Sequence, residues 1–193
     1  MELIIREMDL ERDALGIARM FNESDLAWPG TFIEGQPMTA DMIREWHTED
    51  AFMAVYLAVV DGEIAGYASF MAGERGQRDE GYLDLLNVNP KFHGLSIGRK
   101  LVQTCVNRAI KEGFKRHMLG TWSNNFKAVP VYKKTGHFWR PETSVWMQNY
   151  VPAVVQMPVC RPFFERHDWY DTYVRTVVQQ EDDFRWEGLK VYP

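Results

Sequence analysis

The residues of this chain with the clearest potential for chemistry lie in a turn that contains glycines, at residues 88–101. An apolar run at residues 82–88 leads into the turn, and an amphipathic run at residues 101–110 leads out of it. A strand that continues into a helix through such a turn points several backbone N–H groups at one place, and the helix dipole adds partial positive charge there. The pattern therefore predicts an anion site, and the usual occupant of such a site is a phosphate.

Three titratable residues stand just before this turn, at alternating positions: Glu80, Tyr82 and Asp84. In a regular strand they would share one face with Leu86 and Val88, and a β-bulge would break that alternation. Asp84 lies among apolar residues, where a carboxylate is costly unless it is paired or used. Asp84 is therefore a candidate general base, and Glu80, which we expect to be more exposed, is a second candidate that could act through water.

Composition narrows the class of protein. The 193 residues, 46% hydrophobic and 25% charged, suit one globular domain with an appendage. A net charge of −5 argues against a nucleic-acid partner, which usually requires a basic face. No apolar run approaches the roughly 20 residues that span a bilayer, and residues 1–7 lack the pattern of a signal peptide. Cys105 and Cys160 are expected to be free thiols in a reducing cytoplasm.

Hydrophobic periodicity and turn signals predict an α+β chain in the order β-α-α-β-β-β-α-β-α-β-β. The predicted strands are residues 3–8, 51–60, 64–71, 82–88 and 117–122, followed by a final pair at residues 138–140 and 144–150. The predicted helices are residues 9–22, residues 40–46 with Thr39 as N-cap, a long helix from Leu101 to a stop at Gly113, and residues 125–134. Asp61 and Gly62 predict a tight hairpin turn.

The character of the sequence changes after Pro152. Residues 1–150 form the predicted main domain, and residues 151–193 form an appendage that Pro158 and Pro162 interrupt. Packing over the core, a homodimer contact and the start of a further module are the roles that we consider for it. Because the last residues have the composition of a strand, one hypothesis is that the chain is a fragment of a longer protein.

Patterns with fixed spacing surround the turn. They read Val88-Asn89-Pro90 at the end of the strand, His93-Gly94-Leu95-Ser96-Ile97-Gly98 in the turn, and Asn125, Ala128, Tyr132 and Gly136 further on. With the element order, they resemble the GNAT superfamily of acyl-CoA-dependent N-acetyltransferases over residues 1–150, most strongly over residues 82–136. His93 stands where that family has Arg or Gln, and Ser96 where it has glycine. The donors in question are backbone amides, which serine retains.

The resemblance implies a GNAT fold, in which a mixed but mostly antiparallel sheet is flanked by helices and splayed between its fourth and fifth strands. It implies acetyl-CoA as co-substrate and no metal, with the pyrophosphate on the turn and the pantetheine arm in the splay. The residues that it places around the cofactor are Leu86, Val88, His93, Gly94, Leu95, Ser96, Ile97, Gly98, Arg99, Lys100, Asn125, Ala128 and Tyr132.

Catalytic roles also follow from the resemblance. Tyr132 matches the tyrosine that protonates the departing thiolate, a task for which a phenol with a pKa of about 10 is suited. The candidates for the general base on the fourth strand are Glu80, Tyr82 and Asp84, with His117 and His137 as further options. The fourth strand of the family usually bulges, so the alternation of its side chains is not assured.

The acceptor is expected to be a small-molecule or peptide amine bound beside the early helices. The residues that could line its pocket are Trp28, Pro29, Phe32, Trp46, His47, Trp122 and Trp139. The predicted function is transfer of an acetyl group from acetyl-CoA to a primary amine, and the alternative is a non-catalytic acyl-CoA-binding or interaction module. A nucleotide-binding α/β domain ranks last, because no Gly-Lys-Ser/Thr follows the turn.

Overall fold

The computed structural model describes residues 2–28, 32–33, 35–47, 52–73, 80–122, 125–140 and 151–177. The chain divides into two compact units, Met1–Pro141 and Glu142–Pro193. The strands of the first unit are β1 (Leu3–Glu7), β2 (Ala54–Val60), β3 (Glu63–Ala72), β4 (Glu80–Val88) and β5 (Arg116–Leu119). Its described helices are α1 (Leu10–Ser24), α2 (Ala40–Trp46), α3 (Ile97–Lys111) and α4 (Val129–Lys134), with short 3-10 turns at Asp25–Ala27 and Pro90–Phe92.

The five strands form one open sheet in the order β1-β2-β3-β4-β5. Neighbouring strands are antiparallel except for β4 and β5, which are parallel. The β2–β3 hairpin turns through Asp61 and Gly62, whose φ values of 46° and 86° are of the sign that a tight hairpin turn requires. The mixed sheet with its flanking helices confirms the predicted α+β class.

Helices cover both faces of the sheet. α3 packs on one face against a buried cluster that includes Leu83, and α1 and α2 pack on the other around Phe21 and Tyr67. α3 approaches β3 closely at Gly66, where an added Cβ atom would lie 2.8 Å from Ile97 Cγ2. The sheet is therefore held between two apolar layers, and the α3 layer positions the glycine-containing turn at the end of β4.

β4 and β5 are paired over only part of the length of β4. The pairing runs from Glu80 with Arg116 to Leu83 with Leu119, whereas β4 continues to Val88. Among the described strands, none therefore covers the β5 side of β4 beyond Leu83. This separation confirms the predicted splay between the fourth and fifth strands.

A β-bulge interrupts β4 where the splay begins. Ser69 of β3 lies opposite two residues of β4, Asp84 and Leu85. The Ser69 hydroxyl accepts a hydrogen bond from the Leu85 amide at 3.1 Å and donates one to Asp84 Oδ2 at 3.2 Å. One buried serine thus holds both residues of the bulge.

The bulge reverses the alternation of side chains along β4. Leu83 packs on the α3 side before the bulge, and Leu86 and Val88 pack on that side after it. Leu85 packs on the α1 side. A regular strand would place the even-numbered residues from 80 to 88 on one face. The bulge removes that common face, because one extra residue exchanges the two faces of the strand.

Element boundaries also differ from those expected. α3 begins earlier than predicted and α4 begins later. The predicted strand at residues 138–140 is wrong: these residues follow Gly136, whose φ of 89° terminates α4, and they form no strand in the described part of the chain. Residues 144–150, the predicted partner strand, lie outside the described residues.

The second unit contains short helices for which no element is predicted from the sequence. They are α5 (Val151–Val154), α6 (Arg161–Phe164) and α7 (Tyr170–Thr176). The Tyr170 hydroxyl donates a hydrogen bond to the Val155 carbonyl at 3.5 Å. Residues 178–193 lie outside the described residues, and the function of this unit stays a prediction.

Both cysteines are free, as predicted. Cys105 is fully buried, and burial raises the pKa of its thiol to about 12, so this thiol is inert at neutral pH. Over the stretches that the structure describes, we find no helix with the length and apolar composition needed to cross a membrane.

Candidate active site

A cleft of about 800 Å³ opens where β4 and β5 separate. One wall is formed by residues 82–88 of β4, and the other by residues 119–122, which begin at the last residue of β5, together with α4 and the residues just before it. The turn before α3 and the residues that follow α1, Ala27 and Trp28, complete the lining. The cleft therefore joins the predicted anion site to the splayed strands.

The turn before α3 has the geometry of an anion site. Ser96 caps α3, and the Lys100 amide makes the first bond of the helix, to the Ser96 carbonyl at 3.0 Å. The amides of Ile97, Gly98 and Arg99 precede that bond, so their N–H groups have no carbonyl of the preceding turn to bind. These residues line the cleft, where oriented amides and the helix dipole favour a negative group.

Ser96 and His93 mark where the turn departs from the family pattern. Ser96 has a φ of 59°, a left-handed conformation that costs a residue with a Cβ roughly 1–2 kcal/mol and that glycine adopts freely. The glycine of the family pattern therefore matches the backbone of this turn. The His93 Nε2 atom lies 3.3 Å from the Val88 carbonyl; since a carbonyl only accepts, the imidazole donates and ties the turn to β4.

Beyond the bulge, β4 presents to the cleft the backbone edge that a continuous sheet would pair with β5. An extended molecule with amide groups can pair with such an edge as an added strand does. This edge and the turn are consecutive in the chain, so one elongated ligand could contact both.

Tyr132 lines the cleft from α4. Burial, and secondly the nearby Tyr82, raise the pKa of the Tyr132 phenol. At neutral pH the phenol is therefore protonated, which suits a proton donor. Asn125 braces the entry to α4: its Nδ2 donates to Thr121 Oγ1 at 3.0 Å, and its Oδ1 accepts from the Ala128 amide at 3.2 Å.

The two candidate carboxylates occupy different environments. Asp84 is exposed and lines the cleft. The prediction that Glu80 is the more exposed of the two is wrong. Glu80 is only 2% exposed, because it forms an ion pair with Arg116 at 2.5 Å at the paired end of β4, and it does not line the cleft. The cleft thus brings Asp84, but not Glu80, together with Tyr132.

The two candidate histidines form a pair outside the cleft. His117 Nδ1 and His137 Nε2 lie 2.8 Å apart, and His137 Nδ1 lies 3.3 Å from the Tyr132 carbonyl. Burial, and secondly His137, lower the pKa of His117 to about 4, and burial also lowers the pKa of His137. Both rings are therefore neutral at pH 7, and the pair links β5 to the end of α4.

The aromatic residues proposed for the acceptor pocket divide into two groups. Trp28 and Trp122 line the cleft, with ring centroids 6.5 Å apart and planes at 85°. Phe32 and Trp46 pack against the core on the α1 side, and the His47 ring contacts Trp46 at 4.8 Å. Trp139 is not part of the lining, and Pro29 lies outside the described residues.

Most residues predicted around the cofactor lie on the cleft. They are Leu86, Val88, His93, Gly94, Ser96, Ile97, Gly98, Arg99, Asn125, Ala128 and Tyr132. Leu95 and Lys100 are not among the lining residues: Leu95 packs against the α3-side core, and Lys100 is exposed on α3.

Sequence reasoning missed Asn87, Lys127 and Lys134, which also line the cleft. No sequence motif marks the two lysines as part of a site. They line the cleft because the fold brings α4 and the residues just before it beside the turn. Asn87 could have been found by the argument that selects Asp84, since it too is a polar residue in an apolar strand. In the described part of the chain, no group of three or more His, Cys, Asp or Glu side chains could hold a metal ion.

The fold matches solved acetyltransferase structures. A GNAT-family acetyltransferase from Streptococcus pneumoniae is 25% identical, with 70% of this chain and 84% of that one covered and a TM-score of 0.57. Glucosamine-6-phosphate N-acetyltransferase from Arabidopsis thaliana is 18% identical, with 78% and 99% covered and a TM-score of 0.56. The aminoglycoside acetyltransferase meta-AAC0020 from an uncultured soil metagenomic sample, in complex with sisomicin, is 13% identical, with 77% and 96% covered and a TM-score of 0.58.

Sequence comparison agrees with the fold. None of the curated proteins matches the chain significantly. The family model described as "Acetyltransferase (GNAT) family" matches residues 17–137, which include the splayed strands, the turn and Tyr132. With the sheet, the bulge and the cleft, this match identifies the chain as a member of the GNAT acetyltransferase family.

Proposed function

We propose that this protein transfers an acetyl group from acetyl-CoA to a primary amine by direct attack within a ternary complex. The observation that carries the proposal is the single cleft that contains an anion-binding turn, a free strand edge, a protonated tyrosine and an exposed carboxylate. These are the parts that acyl transfer from a phosphate-bearing thioester requires.

In this proposal the turn and β4 hold the donor. The amides from Gly94 to Arg99 bind the pyrophosphate, and Arg99, Lys127 and Lys134 add positive charge around it. The pantetheine arm pairs with the free edge of β4 near Leu86 and Val88, which brings the thioester towards Tyr132. Trp28 and Trp122 offer aromatic surface to the acceptor, and amines are attracted to aromatic faces when they are cationic.

The chemical step uses Asp84 and Tyr132. Asp84 removes one proton from the ammonium of the acceptor, directly or through water, and later releases it to solvent. The freed lone pair attacks the thioester carbon, and the carbon–sulfur bond breaks with its electrons on sulfur. Tyr132 gives its proton to the sulfur, and the proton that the acylated nitrogen then loses restores the phenol through solvent.

A screen of amines tests the proposal. The full chain is incubated with acetyl-CoA and amino sugars, aminoglycosides, arylalkylamines and peptides, the first two because structural relatives are named for them. We expect release of free thiol together with an acetylated amine detected by mass spectrometry. Binding of acetyl-CoA without transfer to any amine would instead favour the alternative, a non-catalytic acyl-CoA-binding module.

Replacing Gly98 by alanine tests whether the turn needs this glycine to bind CoA or to fold. A Cβ atom there would lie 3.6 Å from Val88 Cγ2 and 3.9 Å from Val131 Cγ1, which is ordinary contact, and its φ needs no glycine. We expect Gly98→Ala to melt at an equal temperature or up to about 3 °C higher. We expect it to bind CoA about tenfold more weakly in calorimetry, since the methyl group displaces the pyrophosphate from an amide.

Gln103→Ala is the matched control for this variant, because Gln103 is exposed on the same helix and lies outside the cleft. We expect it to bind CoA as the wild type does. Equal CoA affinity in Gly98→Ala and the wild type would contradict the placement of the pyrophosphate on this turn.

A further inference from the structure

A row of hydrogen-bonded side chains connects Asp84 in the cleft with His47 at the end of α2. Asp84 Oδ2 lies 3.2 Å from the hydroxyl of Ser69, which is hydrogen-bonded to the phenol of Tyr67. The Tyr67 hydroxyl lies 2.8 Å from His47 Nε2, and His47 Nδ1 lies 2.7 Å from the Ile43 carbonyl. We define the Asp84–His47 network as the side chains of Asp84, Ser69, Tyr67 and His47.

The middle of this network is shielded from water. Tyr67 and Ser69 are neighbours on one face of β3, because side chains two residues apart in a strand point to the same side. Both are fully buried, whereas Asp84 is exposed in the cleft and His47 is half-buried. A proton can therefore travel through the middle of the network only from one hydroxyl group to the next.

The resting network has one proton fewer than it has hydrogen-bond links. Its two ends, the Asp84 carboxylate and the Ile43 carbonyl, only accept, so the groups between them must supply a proton for each of the four links. Two hydroxyls and one neutral imidazole supply only three. With one further proton, His47 donates from both of its nitrogens, to Ile43 and to Tyr67. The Tyr67 hydroxyl then donates to Ser69, and Ser69 donates to Asp84, which completes every link.

We propose that His47 stores the proton that the acceptor amine loses, and that the Asp84–His47 network carries the proton there from the cleft. The inference rests on the proposed function, in which Asp84 takes this proton first. After the transfer, Asp84 is a carboxylate again at the moment when attack on the thioester makes the nitrogen of the acceptor positive. Its negative charge then stabilises that nitrogen.

The transfer conserves every proton and every bond of the network. The protonated carboxyl of Asp84 turns its proton to Ser69, and the hydroxyls of Ser69 and Tyr67 turn towards His47. The carboxyl proton passes to the Ser69 oxygen, the Ser69 proton to the Tyr67 oxygen, and the Tyr67 proton to His47 Nε2. Each oxygen loses one proton and gains one, so no tyrosinate forms. When the products leave, the proton returns by the same route and Asp84 releases it to solvent.

His47 has the properties that a proton store requires. An imidazole is ordinarily a stronger base than a carboxylate. Burial lowers the pKa of His47, and the hydrogen bond to the Ile43 carbonyl opposes this effect. The ring is therefore neutral at pH 7 and has a nitrogen lone pair available for a proton.

The surroundings of His47 couple it to the network. Its ring neighbours in the described part of the chain are Trp46, Phe52 and Tyr67. Of these, only Tyr67 carries an ionisable group. On the preceding turn of α2, Arg44 is paired with Glu11 of α1 at 3.5 Å and with Asp41 at 2.7 Å. The Asp84 carboxylate, reached through two hydroxyls, is thus the ionisable partner that the network provides for His47.

Titration of His47 by nuclear magnetic resonance tests the network without requiring turnover. In protein with ¹⁵N-labelled histidine, the signals of His47 are those that His47→Gln removes. We expect the pKa of His47 to be lower in Asp84→Asn than in the wild type, because the negative charge at the far end is lost. We expect it to be lower in Tyr67→Phe also, because the imidazolium loses an acceptor.

Matched controls accompany both variants. Glu80→Gln neutralises a carboxylate of β4 that is not part of the network, and Tyr56→Phe removes a phenol that is buried on the α3 side of the sheet. We expect neither to alter the titration of His47. An unchanged titration in Asp84→Asn or in Tyr67→Phe would overturn the inference, and Asp84→Asn alone decides if Tyr67→Phe does not fold.

The pH dependence of kcat/KM for the acceptor found in the amine screen tests the role in turnover. His47→Gln keeps a side chain that can form hydrogen bonds but cannot take up a proton. We expect His47→Gln and Tyr67→Phe each to lower kcat/KM about tenfold at neutral pH. We also expect both to move the acid limb of the profile to lower pH, because only the carboxylate then holds the proton.

The double variant is expected to lose no more activity than either single variant, since both changes interrupt the same route. A loss of rate in His47→Gln with an unchanged acid limb would show that its role is structural and would overturn the inference. A wild-type protein that acetylates no amine would instead refute the proposed function, and the titration of His47 would still decide whether the network exists.

Discussion

Replacing Tyr132 by phenylalanine is expected to lower kcat for acetyl transfer by about 10²–10⁴-fold, the usual contribution of a positioned proton donor. The hydroxyl is the only group removed, and the ring keeps its packing against the α3-side core. Affinity for acetyl-CoA, measured by calorimetry, is expected to stay within about twofold of the wild type, because the phenol acts on the thiolate only as the bond breaks.

Tyr82→Phe is the matched control, since Tyr82 also lines the cleft and loses the same group. We expect it to retain most of the wild-type kcat. If Tyr132→Phe turned over at the wild-type rate with the same acceptor, Tyr132 would not be the proton donor. Equal losses in both tyrosine variants would point to a general effect on the cleft.

Replacing Asp84 by asparagine is expected to lower kcat/KM for the amine by about 100-fold at neutral pH. Asparagine still accepts a hydrogen bond from Ser69, so the bulge is kept while the base is lost. The deficit is expected to shrink as the pH rises, because solvent then supplies more of the neutral amine and a base is needed less. A pH–rate profile of the variant and the wild type measures this difference.

Glu80→Gln is the control for Asp84. It alters the other candidate carboxylate, which is buried and paired with Arg116. We expect a lower melting temperature, since a buried ion pair is broken, but a pH–rate profile of the same shape as the wild type. The opposite pattern, with the profile altered in Glu80→Gln and not in Asp84→Asn, would assign the base to Glu80.

The fold was predictable where the signals are local. The Asp61–Gly62 hairpin, the Thr39 cap, whose hydroxyl accepts from the Met42 amide at 3.2 Å, and the stop at Gly113 follow from residues that act on their neighbours. The bulge in β4 was not predictable from the residues alone, because it depends on the hydroxyl of Ser69, a residue of the adjacent strand.

The turn was also predictable, because its glycines act on neighbouring residues. The start of α3, in contrast, was predicted too late in the chain. Residues 97–100 carry few apolar side chains, so periodicity begins at Leu101, whereas the left-handed Ser96 starts the helix at Ile97. At residues 138–140, aromatic composition suggested a strand, but composition cannot supply a strand partner.

The site was predictable only along one stretch of chain. Tyr132 and Asp84 stand out by motif or by position. Asn87 donates a hydrogen bond to Ser24 on the distant helix α1. Lys127 and Lys134 line the cleft because the fold brings α4 and the residues before it beside the turn. Such groups are identified by packing between distant segments, which a single sequence does not reveal.

The central claim is that the cleft binds acetyl-CoA, and thermal unfolding of the full chain with added acetyl-CoA tests it most directly. At about 100 times the dissociation constant, a ligand bound only to the folded state stabilises it by about 2.7 kcal/mol. For a chain of this size we therefore expect the melting temperature to rise by about 5–10 °C. No rise at any concentration up to millimolar acetyl-CoA would contradict both the site and the function built on it.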